Sequence, residues 1–101
     1  MNILFIGADN QWQSKTAKDI FKYHNRVTAK AATLKTNPTA FDKQIDWAEL
    51  IFVLDNTALN KLGRTIDDEK TIVNLNVPET YDYMHPELVA LLKASVFEYL
   101  N

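Results

Sequence analysis

Three short segments carry most of the side chains that could do chemistry in this chain. Each follows an apolar run, and the three segments are residues 7–14, 55–57 and 77–85. Asp9 and Asp55 are carboxylates that could share a Mg²⁺ ion, and Glu79 could act as a general acid. The 101 residues include no cysteine, which excludes disulfides, thiolate metal sites and thiol nucleophiles.

The segments are positioned by a regular alternation of strand and helix patterns. Strands are predicted at 2–6, 27–31, 50–54 and 71–75. Four helices are predicted between and after them: one that begins at Ser14 or Thr16, one at 38–45, one that follows 55–57 and ends at Gly63, and one that begins at Pro86. Four such alternations predict an α/β fold, a single-domain three-layer α/β/α sandwich with a four-stranded parallel sheet. The run 50–54 is apolar throughout, as expected of a central strand, whereas 27–31 is typical of an edge.

The carboxyl ends of parallel strands meet along one edge of a sheet, and ligands usually bind beyond that edge. The three chemistry-bearing segments follow predicted strands, so we expect them to line the same rim. Any functional site is predicted there.

The sequence at positions 6–17 reads Ile-Gly-Ala-Asp-Asn-Gln-Trp-Gln-Ser-Lys-Thr-Ala. It resembles the phosphate loop of the low-molecular-weight protein tyrosine phosphatases, Val-Cys-x-x-Asn-x-x-Arg-Ser-Pro-x-Ala. Residues 47–53 and 77–88 resemble two further segments of that family, Trp-Ala-Asp-Leu-Ile-Phe-Val and Ile-Pro-Asp-x-Tyr-x-Tyr-Met-Asp-Pro-Glu-Leu, in the same order. The resemblance is closest to the short bacterial branch and covers nearly the whole chain. It implies that residues 1–101 form one phosphatase-like domain.

The resemblance also implies a reaction that this chain has lost. In the active family the loop cysteine attacks phosphorus, the loop arginine stabilises the phosphate oxygens, and an aspartate protonates the leaving group. Gly7 stands at the cysteine position and Gln13 at the arginine position. Glycine has no side chain to attack with, and glutamine lacks the charge and paired donors of a guanidinium. We therefore expect no phosphatase activity and a binding or regulatory role toward a protein partner.

The remainder of the loop leaves alternatives open. The degenerate phosphate loop comprises Gly7, Ala8, Asp9, Asn10, Gln11, Trp12, Gln13 and Ser14. In the family, residues matching Asn10 and Ser14 hold the loop in shape, so the loop could still bind an oxyanion or phosphorylated ligand without turnover. Asp9 opposes this because its carboxylate would repel phosphate. Trp12 is either an exposed contact for a partner or packed on neighbouring loops.

The family's acid loop is also degenerate. Asn76 and Glu79 stand where the short branch tends to carry aspartates, and His85 replaces the aspartate before Pro-Glu-Leu. Without a nucleophile to serve, Glu79 is interpreted as a solvated loop residue and His85 as a helix-capping or surface residue. His24 is interpreted as a half-buried core histidine, and no spacing typical of metal ligands occurs.

A receiver-like phosphoacceptor domain is the alternative from a different class. Asp55 follows an apolar strand as a phosphoacceptor would, and Asp9 lies in the first acidic loop. The count of four strands rather than five argues against it.

Charge and hydropathy restrict the partners. The formal net charge is −2, so attraction to nucleic acid or to an anionic membrane is not implied. Lys15, Lys18, Lys22 and Arg26 recur at helical spacing and are interpreted as a solvated helix face. No apolar run has the length of a membrane span, and the first residues lack a positive signal region, so we expect a cytoplasmic, bacterial-type protein. No cofactor is expected.

Overall fold

The fold alternates strands and helices along its whole length. A computed structural model describes residues 1–7, 11–62, 71–77 and 81–100. The elements are β1 (Asn2–Gly7), α1 (Gln11–Ile20), β2 (Thr28–Thr33), α2 (Pro38–Trp47), β3 (Leu50–Val53), α3 (Asn56–Leu62), β4 (Thr71–Asn74) and α4 (Pro86–Leu100). The strands form one parallel sheet in the order β2-β1-β3-β4. The α/β class, the four parallel strands and the central place of β3 are therefore confirmed.

Alternate side chains of β1 point to opposite faces of the sheet and build two apolar cores. Ile3 and Phe5 face α1 and α4, whereas Leu4 and Ile6 face α2 and α3. The first core comprises Ile3, Phe5, Ala17, Phe21, Val27, Leu50, Phe52, Leu54, Val77, Leu88, Leu92 and Val96. The second comprises Leu4, Ile6, Ala32, Ile45, Ala48, Ile51, Val53 and Ala58. Helices on both faces make the predicted three-layer sandwich.

Two helix starts follow the signals in the sequence. α2 begins with Pro38, and the side-chain oxygen of Asn37 accepts from the Thr39 backbone N–H at 2.9 Å. α4 begins with Pro86, whose missing N–H would have had no partner within the helix. Both starts therefore agree with the sequence prediction.

The start of α1 differs from the sequence prediction. Residues 8–13 were expected to form a loop, but α1 already begins at Gln11. Thr16 is not an N-cap, because its buried hydroxyl lies inside the helix and accepts from the backbone N–H of Met84 at 3.0 Å. Asn10, the residue before Gln11, is of a type that N-caps prefer, and the prediction passed over this signal in favour of the hydroxyls of Ser14 and Thr16.

Of the two interpretations made for α1 and the turn after it, the one for His24 is confirmed and the solvated helix face is confirmed in part. Lys15, Lys18, Lys22 and Arg26 are all exposed, but α1 ends at Ile20, so only Lys15 and Lys18 lie on a helix. His24 is half-buried, with its ring beside Phe21 and Phe97, and its Nδ1 accepts from the Arg26 backbone N–H at 3.2 Å.

Candidate functional site

The topology opens a crevice at the carboxyl ends of β1 and β3. From β1 the chain crosses through α1 to β2 on one side, whereas β3 pairs on the other side of β1 and is reached through α2. The two crossover helices cover opposite faces of the sheet. Such a switch point leaves room for a ligand beyond the strand ends, and Gly7 and Leu54 lie there.

Gly7 ends β1 as a buried residue. Its φ angle is not positive, so an ordinary L-residue could adopt the same backbone conformation. The glycine is not required by the turn. Gly7 therefore brings no side chain to the rim.

The first turns of α1 bring buried polar side chains to the rim. Gln13 is 1% exposed and Ser14 is 2% exposed, although both lie near the start of a helix. The N–H groups of a first helical turn have no partner within the helix and favour negative charge. Because Gln13 is enclosed, its amide is part of the packed structure and not a group held out toward solvent.

Part of the predicted loop and acid loop belongs to the residues that the structure does not describe. Ala8, Asp9, Asn10 and Glu79 lie outside the described residues. Gln11 and Trp12 belong to the first turn of α1, and the predicted alternatives for Trp12 stay open.

Asp55 serves as the cap of α3. Its carboxylate Oδ1 accepts from the Ala58 backbone N–H at 2.8 Å, and its carbonyl accepts from the Leu59 N–H at 3.1 Å. The residue is 9% exposed. A buried carboxylate at a helix N-terminus interacts favourably with the positive end of the helix.

We expect Asp55→Ala to lower the free energy of unfolding by about 1–2 kcal/mol, because the Ala58 N–H loses its acceptor. In a domain of this size each kcal/mol shifts the melting temperature by about 4–8 °C. Thermal unfolding followed by circular dichroism measures the change. Thr57→Ala, an exposed change in the same helix, is the control, and equal shifts for both variants would contradict the capping role.

A second feature of the rim is the turn after β4. The side-chain amide of Asn74 donates to Asn56 Oδ1 at 2.7 Å, which ties the end of β4 to the start of α3. Asn74 Oδ1 accepts from the backbone N–H of Asn76 at 2.9 Å, and Asn76 has φ 51°. Asparagine tolerates this left-handed conformation better than most residues. Asn76 is therefore a turn residue, exposed at the rim.

The segment before α4 is docked on α1, which sequence reasoning did not find. The Tyr83 hydroxyl donates to Asp19 Oδ2, and the Lys15 ammonium lies 5.3 Å from the centre of the Tyr83 ring. With the Met84–Thr16 hydrogen bond, these contacts tie residues 83–84 to α1. No local signal predicts them, since the partners are more than 60 residues apart in sequence.

His85 has the capping role that the sequence predicts. Its Nδ1 accepts from the Glu87 backbone N–H at 3.2 Å, and its ring lies 5.0 Å from that of Tyr81. The Tyr81 hydroxyl donates to Glu87 Oε2 at 3.2 Å. This hydrogen bond, with partial desolvation and the charge of Glu87, raises the pKa of Tyr81.

The hydrogen bond to Asp19, followed by partial desolvation and the negative charge of that carboxylate, raises the pKa of Tyr83 above its ordinary value of 10.0. A raised folded-state pKa stabilises the fold fully below the unfolded value and less as pH rises through the folded value. We expect Tyr83→Phe to remove this pH dependence above about pH 10. Urea unfolding at several alkaline pH values measures it; an unchanged profile would contradict the Tyr83–Asp19 contact.

The described residues contain no group of three histidine, aspartate or glutamate side chains arranged to hold a metal ion. In the same part of the chain, no helix combines the length and apolar character needed to span a bilayer.

Comparison with protein-family models, with curated proteins and with solved structures gives no significant match to this chain.

Proposed function

We propose that this chain is a degenerate relative of the low-molecular-weight tyrosine phosphatases that lacks phosphatase activity and serves as a binding or regulatory module. The observation that supports the proposal most directly is the residue at the end of β1, at the position that corresponds to the family's cysteine. There Gly7 offers no nucleophile although its backbone could accommodate a side chain. The whole chain also contains no cysteine that could act from another position.

The positions of the three resembling segments support the proposal. The stretch similar to the phosphate loop begins in β1 and ends in α1, at the switch point of the sheet. The second stretch ends in β3, beside β1. The third leads into α4 through the residues docked on α1. Three segments distant in sequence thus contribute to one rim or to the elements next to it.

The enclosure of Gln13 supports the loss of activity. A phosphoryl transfer site needs donors that point at the ligand, and an arginine supplies two parallel donors and a charge. Gln13 supplies neither charge nor paired donors, and its side chain is almost fully buried.

The contacts of Asp55 favour this proposal over the phosphoacceptor alternative. A phosphoacceptor carboxylate must reach solvent and a phosphodonor. Asp55 is buried, and its Oδ1 accepts a helix N–H.

We expect the purified protein to hydrolyse p-nitrophenyl phosphate at the rate of the buffer alone, because no side chain in the cysteine position can attack phosphorus. Release of p-nitrophenolate is followed by absorbance. Turnover that survives further purification and is reduced by Asp9→Asn or Glu79→Gln would contradict the proposal.

The same protein tests whether the residual loop still binds oxyanions. A ligand at 100 times its dissociation constant would add about 2.7 kcal/mol to the free energy of unfolding. We expect the melting temperature to be unchanged by phosphate or vanadate. An increase that Gln13→Ala abolishes would instead favour oxyanion binding without turnover.

A further inference from the structure

Charge is distributed unevenly between two parts of the chain. Residues 11–37, from α1 to the turn after β2, contain six basic residues and one acidic residue, Asp19. Their formal charge is therefore +5 in a chain whose total is −2, which leaves −7 for the rest. The Asp19 carboxylate accepts from the Tyr83 hydroxyl. The elements of this basic part lie side by side, because α1 packs on β2, the edge strand of the sheet.

The outer edge of β2 offers backbone groups for pairing. The N–H groups of Thr28 and Leu34 donate to carbonyls of Met1 and Gly7, on the inner side of the strand. Because backbone groups alternate along a strand, those of Ala29 and Ala31 point away from β1. Alanine side chains leave this edge open to another backbone, and a peptide can add to such an edge as a further strand.

Basic side chains lie beside that edge. Ser14 and Ala31 line a cleft of about 230 Å³ between α1 and the end of β2, together with Lys15, Ala32, Thr33 and Thr36. Lys18 is one helical turn after Ser14, on the same side of α1, and is exposed. Arg26 is exposed two residues before the strand, and Lys30 is exposed in its middle, with its ammonium 4.5 Å from the centre of the Trp47 ring. We call Lys18, Arg26 and Lys30, with the outer backbone of Ala29 and Ala31, the basic edge.

We propose that the basic edge binds an extended acidic segment of a partner protein. The segment pairs with the backbone of Ala29 and Ala31 as an added strand. Its carboxylates lie against Lys18 and Arg26. This inference deepens the proposed binding role by naming the surface and the chemistry of the partner.

Two observations favour a protein segment over other polyanions. The outer edge of β2 presents backbone donors and acceptors, which complement a peptide strand and not a phosphate chain. The net charge of −2 opposes the approach of nucleic acid and of an anionic membrane, whose binding depends on many charges acting together. A short acidic segment is affected mainly by the charges within a Debye length, where the basic edge dominates.

The test uses an acetylated, fluorescein-labelled decapeptide of alternating glutamate and valine. Fluorescence anisotropy gives its dissociation constant, and ¹⁵N amide shifts of the protein locate it. We expect saturable binding with the largest shifts at Ala29 and Ala31. Lys18→Glu should weaken binding about three- to tenfold, because it turns an attraction into a repulsion. Lys93→Glu, an exposed lysine on α4, is the matched control and should leave binding unchanged.

A second pair of variants tests strand addition. Ala31→Pro removes the outward N–H without removing a bond to β1, and proline is tolerated on edge strands. Ala31→Gly keeps the N–H. We expect the proline variant alone to abolish binding while its circular dichroism stays that of the parent protein.

Four results would overturn the proposal. The first is no saturable binding of the peptide, and the second is an equal loss of peptide affinity in Lys18→Glu and Lys93→Glu. The third is that duplex DNA or phosphatidylserine vesicles bind more tightly than the peptide and that Ala31→Pro does not change their binding. The fourth is self-association in sedimentation that Lys18→Glu abolishes. None of these measurements depends on phosphatase activity, so the failure of this proposal is distinguishable from that of the proposed inactivity.

Discussion

The double substitution Gly7→Cys, Gln13→Arg is expected to hydrolyse p-nitrophenyl phosphate about 10²–10³ times faster than Gly7→Cys alone. The cysteine supplies a nucleophile next to the start of α1, where a helix N-terminus favours the thiolate. The arginine side chain is longer than that of the enclosed Gln13, so its guanidinium is expected to extend to the rim and supply charge and paired donors to the phosphate oxygens. The backbone conformation at Gly7 suits an ordinary L-residue because its φ is not positive. The substrate is suitable because p-nitrophenolate leaves without a general acid.

Steady-state rates of the single and double variants measure this gain. Gly7→Ala, Gln13→Arg is the control that has the arginine and no thiol, and it should show no turnover. Equal rates for Gly7→Cys with and without the arginine would show that Gln13 does not stand at the position of the family's arginine. That result would count against the proposed relationship itself.

Phe5→Ala is expected to lower the free energy of unfolding by about 3–5 kcal/mol. Phe5 is fully buried in β1, and its ring stacks between Phe21 at 5.9 Å and Phe52 at 5.5 Å. Its removal leaves a cavity where α1, β1 and β3 meet. The free energy of unfolding of a natural domain is about 5–15 kcal/mol in total, so the expected loss is a large share of its stability.

Equilibrium unfolding in urea measures the effect. Phe97→Ala is the matched control, since the Phe97 ring also contacts Phe21, edge to face at 5.6 Å, but is 41% exposed. Phe97→Ala should lower the free energy of unfolding less than Phe5→Ala, because a half-exposed ring buries less apolar surface in the folded state. A larger loss for Phe97→Ala would mean that the centre of this core is not at Phe5.

The elements of the fold were predictable because their signals are local. The apolar run at β3, the prolines at the starts of α2 and α4 and the alternation of strands with helices all appear within short windows of sequence. The start of α1 was missed because residues 8–13 show no apolar periodicity, although Asn10 before Gln11 is of a type that N-caps prefer. Thr16 was a predicted helix start, and Asp19 stands three residues later, the spacing of a capping box, yet both side chains bind the segment before α4.

The candidate site was only partly predictable for the same reason. That Gly7 and Asp55 lie at strand ends follows from pattern, and the capping role of His85 follows from the proline after it. The burial of Gln13 depends on how α1 packs, and the Tyr83–Asp19 contact joins residues far apart in sequence. The edge position of β2 was predicted from the polar character of residues 27–31 and agrees with the strand order of the sheet.

The pairing of β1 has a consequence for how the chain folds during synthesis. Ile3 pairs with Ala29 on one side and with Leu50 on the other, so both neighbours of β1 are made after it. The complete sheet cannot form until β3 has also left the ribosome. Until then the run Ile3–Ile6 presents four apolar side chains without their native partners. Such runs promote aggregation of incomplete chains. The next element to emerge is α1, which in the native fold covers Ile3 and Phe5 and leaves Leu4 and Ile6 to α2 and α3.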